Sequence, residues 1–160
     1  MAQMGRVKTT SKETYSHHNP PFTIPSYHAR VKVETIVITQ EINRNSPIGV
    51  FDSGIGGLTV FAAIAKTMPS ESLVYLGDTA RVPYGTRSPK TVETYSRRVA
   101  SHLWKEGIKA LVIACNTAST YALDVLSEAG KLAGIPVIGV IEPGVSEAIS
   151  ASDNGVIGVL

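Results

Sequence analysis

One cysteine carries the most distinctive chemistry in this sequence. Cys115 is the only thiol among 160 residues, and it lies between an apolar run and the polar stretch Asn116–Ser119. If that stretch opens a helix, its backbone amides and the positive end of the helix dipole stabilise a thiolate over the neutral thiol. Such a thiolate acts as a nucleophile or as a base. The alternative is an inert core residue, because free cysteines often pack as small hydrophobic side chains.

The histidines do not complete a cysteine hydrolase site. That chemistry needs a histidine beside the nucleophile, but His102 lies inside a predicted helix and the other three histidines lie in the first 46 residues. His17 and His18 are adjacent in a polar segment, where we expect them to be solvated rather than to bind a metal. A single thiol is also too few for a cysteine-based zinc or iron–sulfur site.

Further polar residues follow the other predicted strands. Asp52 and Ser53 come after the first strand, Asp78 after the second, Cys115 after the third and Glu142 after the fourth. In open parallel sheets the ligand crevice lies outside the carboxyl ends of the strands. We therefore expect one site at this edge of the sheet, although loops are polar in proteins generally.

The segment 52–57, Asp-Ser-Gly-Ile-Gly-Gly, is a glycine-rich loop before a predicted helix. Glycines allow a tight turn and bring backbone amides close to an anion at a helix N-terminus. A dinucleotide fingerprint would have a third glycine where Thr59 stands. The loop therefore fits a small carboxylate, a phosphate, a nucleotide or a purely structural turn.

Some neighbouring polar residues have two interpretations each. Asp78 contacts the site or caps the turn before Pro83, and Glu142 lines the cleft or caps the next helix. Ser119 and Thr120 are suited to the N-terminal turn of the helix that follows Cys115.

From Pro47 onward, short apolar runs alternate with longer amphipathic stretches. This pattern is typical of an α/β protein with an open parallel sheet of alternating strand–helix units. The predicted strands span 48–51, 73–76, 111–114, 136–140 and 156–160. The predicted helices span 58–66, 91–106, 118–131 and a region starting at 146. No helix follows the fifth strand, so we expect a domain truncated before it is complete.

Composition divides the chain into a polar extension at 1–46 and an α/β domain at 47–160. The extension holds six of the 15 basic residues and a cluster of prolines, so we expect it to be mobile. Residues 31–38 alternate like a short strand, but a lone strand is not stable without a sheet to join. A net charge of +2 is too small to indicate nucleic acid. No apolar run reaches the roughly 18 residues of a membrane helix, and no secretory signal opens the chain, so we expect a cytoplasmic protein without membrane contact.

Three segments together resemble the glutamate racemases. They are 52–60 (DSGIGGLTV), 83–85 (PYG) and 115–119 (CNTAS), in the same order and with similar separations as in that family. The similarity extends over about 47–160 and includes Gly139–Gly144 and Gly155–Leu160. Aspartate racemases share the superfamily fold and a Cys-Asn-Thr element but usually differ in the first loop, so glutamate is the better substrate prediction.

The resemblance implies a racemase that interconverts L- and D-glutamate without a cofactor or metal and supplies D-glutamate for bacterial peptidoglycan. Two cysteines of the family flank the α-carbon of the substrate, and Cys115 corresponds to one of these acid/base groups. By the same carry-over, Asp52 and Ser53 hold the substrate ammonium and orient the thiol. The substrate carboxylates bind to four residues, Tyr84, Gly85, Asn116 and Thr117. Homodimerisation is left open.

The sequence departs from the family in two respects. The family carries its second cysteine, with neighbouring Thr and His, in a later segment that has no counterpart here, and the chain ends before the family's second lobe. We therefore expect a truncated racemase that retains half of the catalytic residues. The alternative is a non-catalytic fragment, derived from a racemase, that binds a ligand or another protein.

Overall fold

The computed structural model describes residues 42–158, which form four parallel strands and four helices in strict alternation. The strands are β1 (Ile48–Asp52), β2 (Leu73–Gly77), β3 (Ala110–Ile113) and β4 (Val137–Gly139). The helices are α1 (Leu58–Thr67), α2 (Pro89–Lys105), α3 (Asn116–Ala133) and α4 (Ile141–Ala151). The sheet order is β2-β1-β3-β4, and every neighbouring pair is parallel.

Local sequence signals set the ends of the two long helices. Ser88 caps α2 by accepting a hydrogen bond from the Thr91 amide at 3.2 Å, and Pro89 occupies the first helical position, where no amide donor is needed. Gly134 ends α3 in the left-handed conformation at φ 69°, which glycine adopts without steric cost. The start of α2 and the end of α3 therefore fall where their sequences favour them.

The main core lies on one face of the sheet. Helices α2 and α3 pack against each other and against Phe51, Leu111 and Ile113 of the strands. Because side chains alternate along a strand, Tyr75 of β2 and its neighbour Val50 point to the opposite face. Helix α1 lies on that second face, where Phe61 packs edge-to-face on Tyr75.

The order of the strands creates a crevice at one place. The chain passes from β1 to β2 on one side and then crosses back to β3 on the other side of β1. In open α/β sheets this reversal separates the loops that leave the two central strands and opens a ligand-binding crevice at their carboxyl ends. Here the reversal lies between β1 and β3, which end at Asp52 and Ile113.

The predicted open parallel sheet is confirmed for its first four strands. The fifth predicted strand, 156–160, is wrong in its described part, because residues 156–158 have no strand partner and the last two lie outside the described residues. Helix α4 begins at Ile141 rather than near 146. Pro143 falls in its first turn, where a missing amide is tolerated. The predicted strand at 31–38 and the extension up to residue 41 lie outside the described residues. None of the helices between residues 42 and 158 has the length and apolarity to cross a membrane.

Two helical glycines provide a matched test of the packing. A Cβ atom on Gly130 of α3 would overlap the Ile135 carbonyl oxygen and lie 2.7 Å from Val137 Cγ2, whereas one on Gly144 of α4 would meet no atom within 4 Å. We expect Gly130→Ala to lower the free energy of unfolding by about 1–3 kcal/mol. Gly144→Ala should raise it by about 0.5–1 kcal/mol. Urea denaturation measures both, and equal effects of the two substitutions would contradict the packing described.

Candidate active site

Cys115 lies at the carboxyl end of β3 and caps the N-terminus of α3. Its Sγ accepts a hydrogen bond from the Ala118 amide at 3.5 Å and donates one to Ser53 Oγ at 3.4 Å. The helix that it caps has 18 residues, so unpaired amides and the positive end of the helix dipole lie beside the sulfur. The residue is only 5% exposed. The thiol is therefore buried, yet it contacts the loop that leaves β1.

Asp52 organises the glycine-rich loop after β1. Its Oδ2 accepts hydrogen bonds from the amides of Gly54 at 3.1 Å and Gly57 at 3.0 Å. A Cβ atom on Gly57 would lie 2.6 Å from Asp52 Cβ and 2.9 Å from Ala114 Cβ, so only glycine fits there. Two of the amides that the sequence offered to a bound anion are thus already paired with a carboxylate. This pairing of the amides with Asp52 favours the interpretation of the loop as a structural turn over a binding site for phosphate or a nucleotide.

Tyr75 supports the same loop and was not foreseen from the sequence. Its hydroxyl donates to the Gly54 carbonyl oxygen at 3.0 Å. Burial, followed by the negative charge of the nearby Asp52, raises the pKa of Tyr75 to about 12. The only sequence signal was a tyrosine at an alternating position of an apolar strand, which normally indicates packing.

Tyr84 lies at the centre of the loop between β2 and α2. It is 1% exposed, and its hydroxyl donates to Asp78 Oδ2 at 2.7 Å. Burial and this carboxylate raise the pKa of the Tyr84 hydroxyl well above its ordinary value. The hydroxyl therefore has an internal partner, and the groups that Tyr84 offers to a ligand belong to its backbone.

Gly85 brings this loop up to the start of α3. A Cβ atom on Gly85 would lie 3.8 Å from Thr117 Oγ1, so the glycine and the threonine hydroxyl face each other across a gap. Asn116 and Thr117 are the first two residues of α3. Asn116 and Gly85 are exposed, and Thr117 is half-buried. These three residues form the solvent-facing part of the candidate site.

The remaining polar residues take structural roles or face solvent. Ser119 donates to the Ile113 carbonyl oxygen at 2.9 Å and accepts from the Val140 amide at 3.3 Å. It therefore ties the ends of β3 and β4 together, while Cys115 supplies the cap of α3. Glu142 is exposed in the first turn of α4. Between residues 42 and 158 no three His, Cys, Asp or Glu side chains are grouped so that they could hold a metal ion.

The structure thus brings the sequence-predicted residues into two adjoining groups. Asp52, Ser53 and Cys115 meet at the ends of β1 and β3. Gly85 and Thr117 face each other beside them, because Thr117 follows Cys115 by two residues. The arrangement provides a sulfur for proton transfer next to backbone and hydroxyl donors that suit carboxylates.

Comparison with known proteins defines the class of protein to which this fold and site belong. The chain belongs to the Asp/Glu/Hydantoin racemase family, whose sequence model matches residues 48–160. Within that family the predicted resemblance to glutamate racemases is confirmed. The glutamate racemase of Sulfurihydrogenibium sp. (strain YO3AOP1) is 56% identical over 115 residues, which are 71% of this chain and 43% of that protein.

Solved structures agree with this placement. Glutamate racemase from Aquifex pyrophilus superposes with a TM-score of 0.63 at 54% identity, over 68% of this chain and 42% of that one. Glutamate racemase from Francisella tularensis, solved in complex with D-glutamate, superposes with a TM-score of 0.61 at 48% identity, over 64% of this chain and 38% of that one. The chain therefore spans well under half the length of the relatives that it matches.

The interaction of Asp52 with Tyr75 can be tested by measuring the pKa of Tyr75. Replacing Asp52 with Asn removes the negative charge that opposes ionisation of Tyr75, so its pKa should fall from about 12 but stay above the ordinary value because the ring remains buried. NMR of ring-labelled tyrosine during an alkaline titration measures this, with Tyr75→Phe to assign the signal. Asp78→Asn is the control and should leave Tyr75 unchanged. An unaltered Tyr75 titration in Asp52→Asn would show that the two side chains are not coupled.

Proposed function

We propose that this chain provides one half of a glutamate racemase site, in which Cys115 exchanges a proton with the α-carbon of glutamate. The observation that carries the proposal is the position of Cys115 Sγ, at the N-terminus of α3 and 3.4 Å from Ser53 Oγ, where β1 and β3 end. Family membership and about 50% identity to glutamate racemases support the choice of substrate and reaction.

The proton transfer uses the thiol as an acid/base group. As a thiolate, Cys115 takes the α-proton, so that the C–H bond breaks, an S–H bond forms and the electron pair stays on the α-carbon and its carboxylate. Amides at the start of α3 and the Thr117 hydroxyl would stabilise the charge that develops on that carboxylate. Return of the proton from the same sulfur restores the original isomer. Inversion requires a second acid/base group on the opposite face of the carbon.

Substrate recognition follows from the two groups of residues. Asp52 and Ser53 would bind the ammonium group, and Ser53 would also orient the thiol through its 3.4 Å contact. The carboxylates would bind to Tyr84, Gly85, Asn116 and Thr117. Tyr84 would contribute its backbone amide, because its hydroxyl already bonds Asp78. The relative solved with D-glutamate supports glutamate as the ligand.

The biological role proposed here is the one that the resemblance implies. D-Glutamate formed by the complete reaction would supply bacterial peptidoglycan, in the cytoplasm and without an added cofactor. A homodimer and the division of the chain at residues 46 and 47 stay predictions.

Deuterium exchange separates the half-reaction from full racemisation. In heavy water, the purified 160-residue chain should replace the α-proton of one glutamate enantiomer with deuterium, while circular dichroism shows little inversion. Cys115→Ser should slow the exchange by about 10²–10⁴-fold, since general acid–base catalysis contributes about that factor. Proton NMR or mass spectrometry of glutamate follows the exchange. Ser150→Ala, on the exposed side of α4, is the control and should exchange at the original rate.

Two results would count against the catalytic proposal. Glutamate binding without exchange by the folded chain would favour the non-catalytic ligand-binding fragment. Exchange that survives Cys115→Ala would assign the proton transfer to another group.

Thr117 provides a separate test of the carboxylate site. Thr117→Val keeps the shape of the side chain but removes the hydroxyl that faces Gly85. Loss of a hydrogen bond to a charged group should weaken glutamate binding about tenfold, with little change in thermal stability because the residue is half-buried at a helix end. Isothermal titration calorimetry measures the affinity, and Thr94→Val on the exposed surface of α2 is the control. Equal affinity for glutamate in the two variants would show that the Thr117 hydroxyl does not bind the substrate.

A further inference from the structure

The loop between β2 and α2 is held by side chains rather than by strand or helix hydrogen bonds. It runs from Asp78 to Ser88 and contains two local backbone hydrogen bonds, from the Arg81 amide to the Asp78 carbonyl oxygen and from the Arg87 amide to the Tyr84 carbonyl oxygen. Within residues 42–158, the amides of Tyr84 and Gly85 have no hydrogen-bond acceptor. Both amides are thus unpaired among the described residues, and the Cβ position of Gly85 lies 3.8 Å from Thr117 Oγ1.

Asp78 is the centre of the contacts that hold this loop. It is 6% exposed, its Oδ2 accepts from the Tyr84 hydroxyl at 2.7 Å, and both of its oxygens lie 3.0 Å from Arg81 Nη1. A buried carboxylate is costly unless it is paired and hydrogen-bonded. Arg81 supplies the opposite charge, and the Tyr84 hydroxyl supplies a hydrogen bond to the same carboxylate.

Aromatic contacts fix the ring of Tyr84 on both sides. The ring packs edge-to-face on Phe51 of β1, with centroids 6.2 Å apart, and against Tyr95 of α2 at 5.7 Å. The guanidinium of Arg81 lies over the Tyr95 ring, 5.1 Å from its centroid. With the ring enclosed and its hydroxyl bonded, the Tyr84 backbone has little freedom to move.

We propose that Asp78 is a positioning residue for substrate binding, which acts through the Tyr84 hydroxyl to hold the free amides of Tyr84 and Gly85 opposite Thr117. The inference rests on the proposed function, in which these amides bind a carboxylate of glutamate. Arg81 pairs with Asp78 and holds it in place from the side of the loop that faces α2. Asp78 itself does not contact the substrate.

Tyr84→Phe tests the positioning role most directly, because it keeps the ring packing and removes only the hydrogen bond to Asp78. The glutamate concentration that half-saturates α-proton exchange should rise about tenfold, while the exchange rate at saturation stays within about threefold of the original. Asp78→Ala should give at least the same effect on half-saturation. In Asp78→Asn the half-saturating concentration should stay close to the original value, since an amide oxygen still accepts from Tyr84. Glu93→Gln removes the exposed contact to Arg97 on α2 and should change neither quantity.

A second measurement does not depend on glutamate. The Arg87 amide bonds the Tyr84 carbonyl oxygen at 2.9 Å, so its hydrogen exchange reports how well the loop is held. In Tyr84→Phe this amide should exchange about tenfold faster, whereas amides in the middle of α3 keep their protection. Unchanged Arg87 exchange would overturn the inference even if the chain proved not to bind glutamate.

The two proposals can fail separately. If the original chain exchanges the α-proton and Tyr84→Phe leaves half-saturation unchanged, the positioning role is wrong and the proposed function stands. A lower rate at saturation with unchanged half-saturation would also overturn it, in favour of a role in the chemical step. If the original chain neither binds nor exchanges glutamate but Arg87 exchange accelerates, the loop restraint stands and the proposed function fails.

Discussion

The candidate site depends on one carboxylate oxygen that bonds two backbone amides. Asp52 Oδ2 accepts from Gly54 and Gly57, and these bonds fold the chain sharply between the end of β1 and the start of α1. The turn presents Ser53 toward Cys115 of the neighbouring strand. A side chain at position 57 would collide with Asp52 and with Ala114, so the close approach of the two loops requires both the aspartate and the glycine.

The order of the strands gives this turn its chemical importance. Because β1 is flanked by β2 and β3, the loops after all three strands meet at one edge, and each contributes a different kind of group. The first loop provides an oriented carboxylate and hydroxyl, the second provides free amides near Gly85, and the third provides the thiol at a helix N-terminus. A parallel sheet thereby brings together donors, acceptors and a thiol from distant parts of the chain, and Ser53 and Cys115 alone are 62 residues apart in sequence.

The sequence predicted the parts of this structure that depend on local pattern. Strand and helix alternation followed from apolar periodicity, and the placement of Asp52 and Cys115 at one sheet edge followed from that alternation. The sequence did not reveal how polar atoms pair across loops. The bond from Tyr84 to Asp78 and the bond from Tyr75 to Gly54 depend on side-chain directions that no periodicity encodes. The fifth strand was predicted from an apolar run alone, and residues 156–158 do not pair with the open edge of β4.

Burial divides the candidate site into two parts with different electrostatics. Asp52 and Cys115 are buried, so their interactions act in a medium of low dielectric constant, where a charge on the sulfur is sensitive to every nearby dipole. Gly85 and Asn116 face water, which screens contacts to a carboxylate. Stabilising a carbanion requires that its carboxylate also be shielded from water. The described residues shield the thiol of Cys115 but leave Gly85 and Asn116 open to water. In the proposed site, tight binding of a carboxylate would therefore require a further surface over Gly85 and Thr117, whereas orientation of the thiol would not.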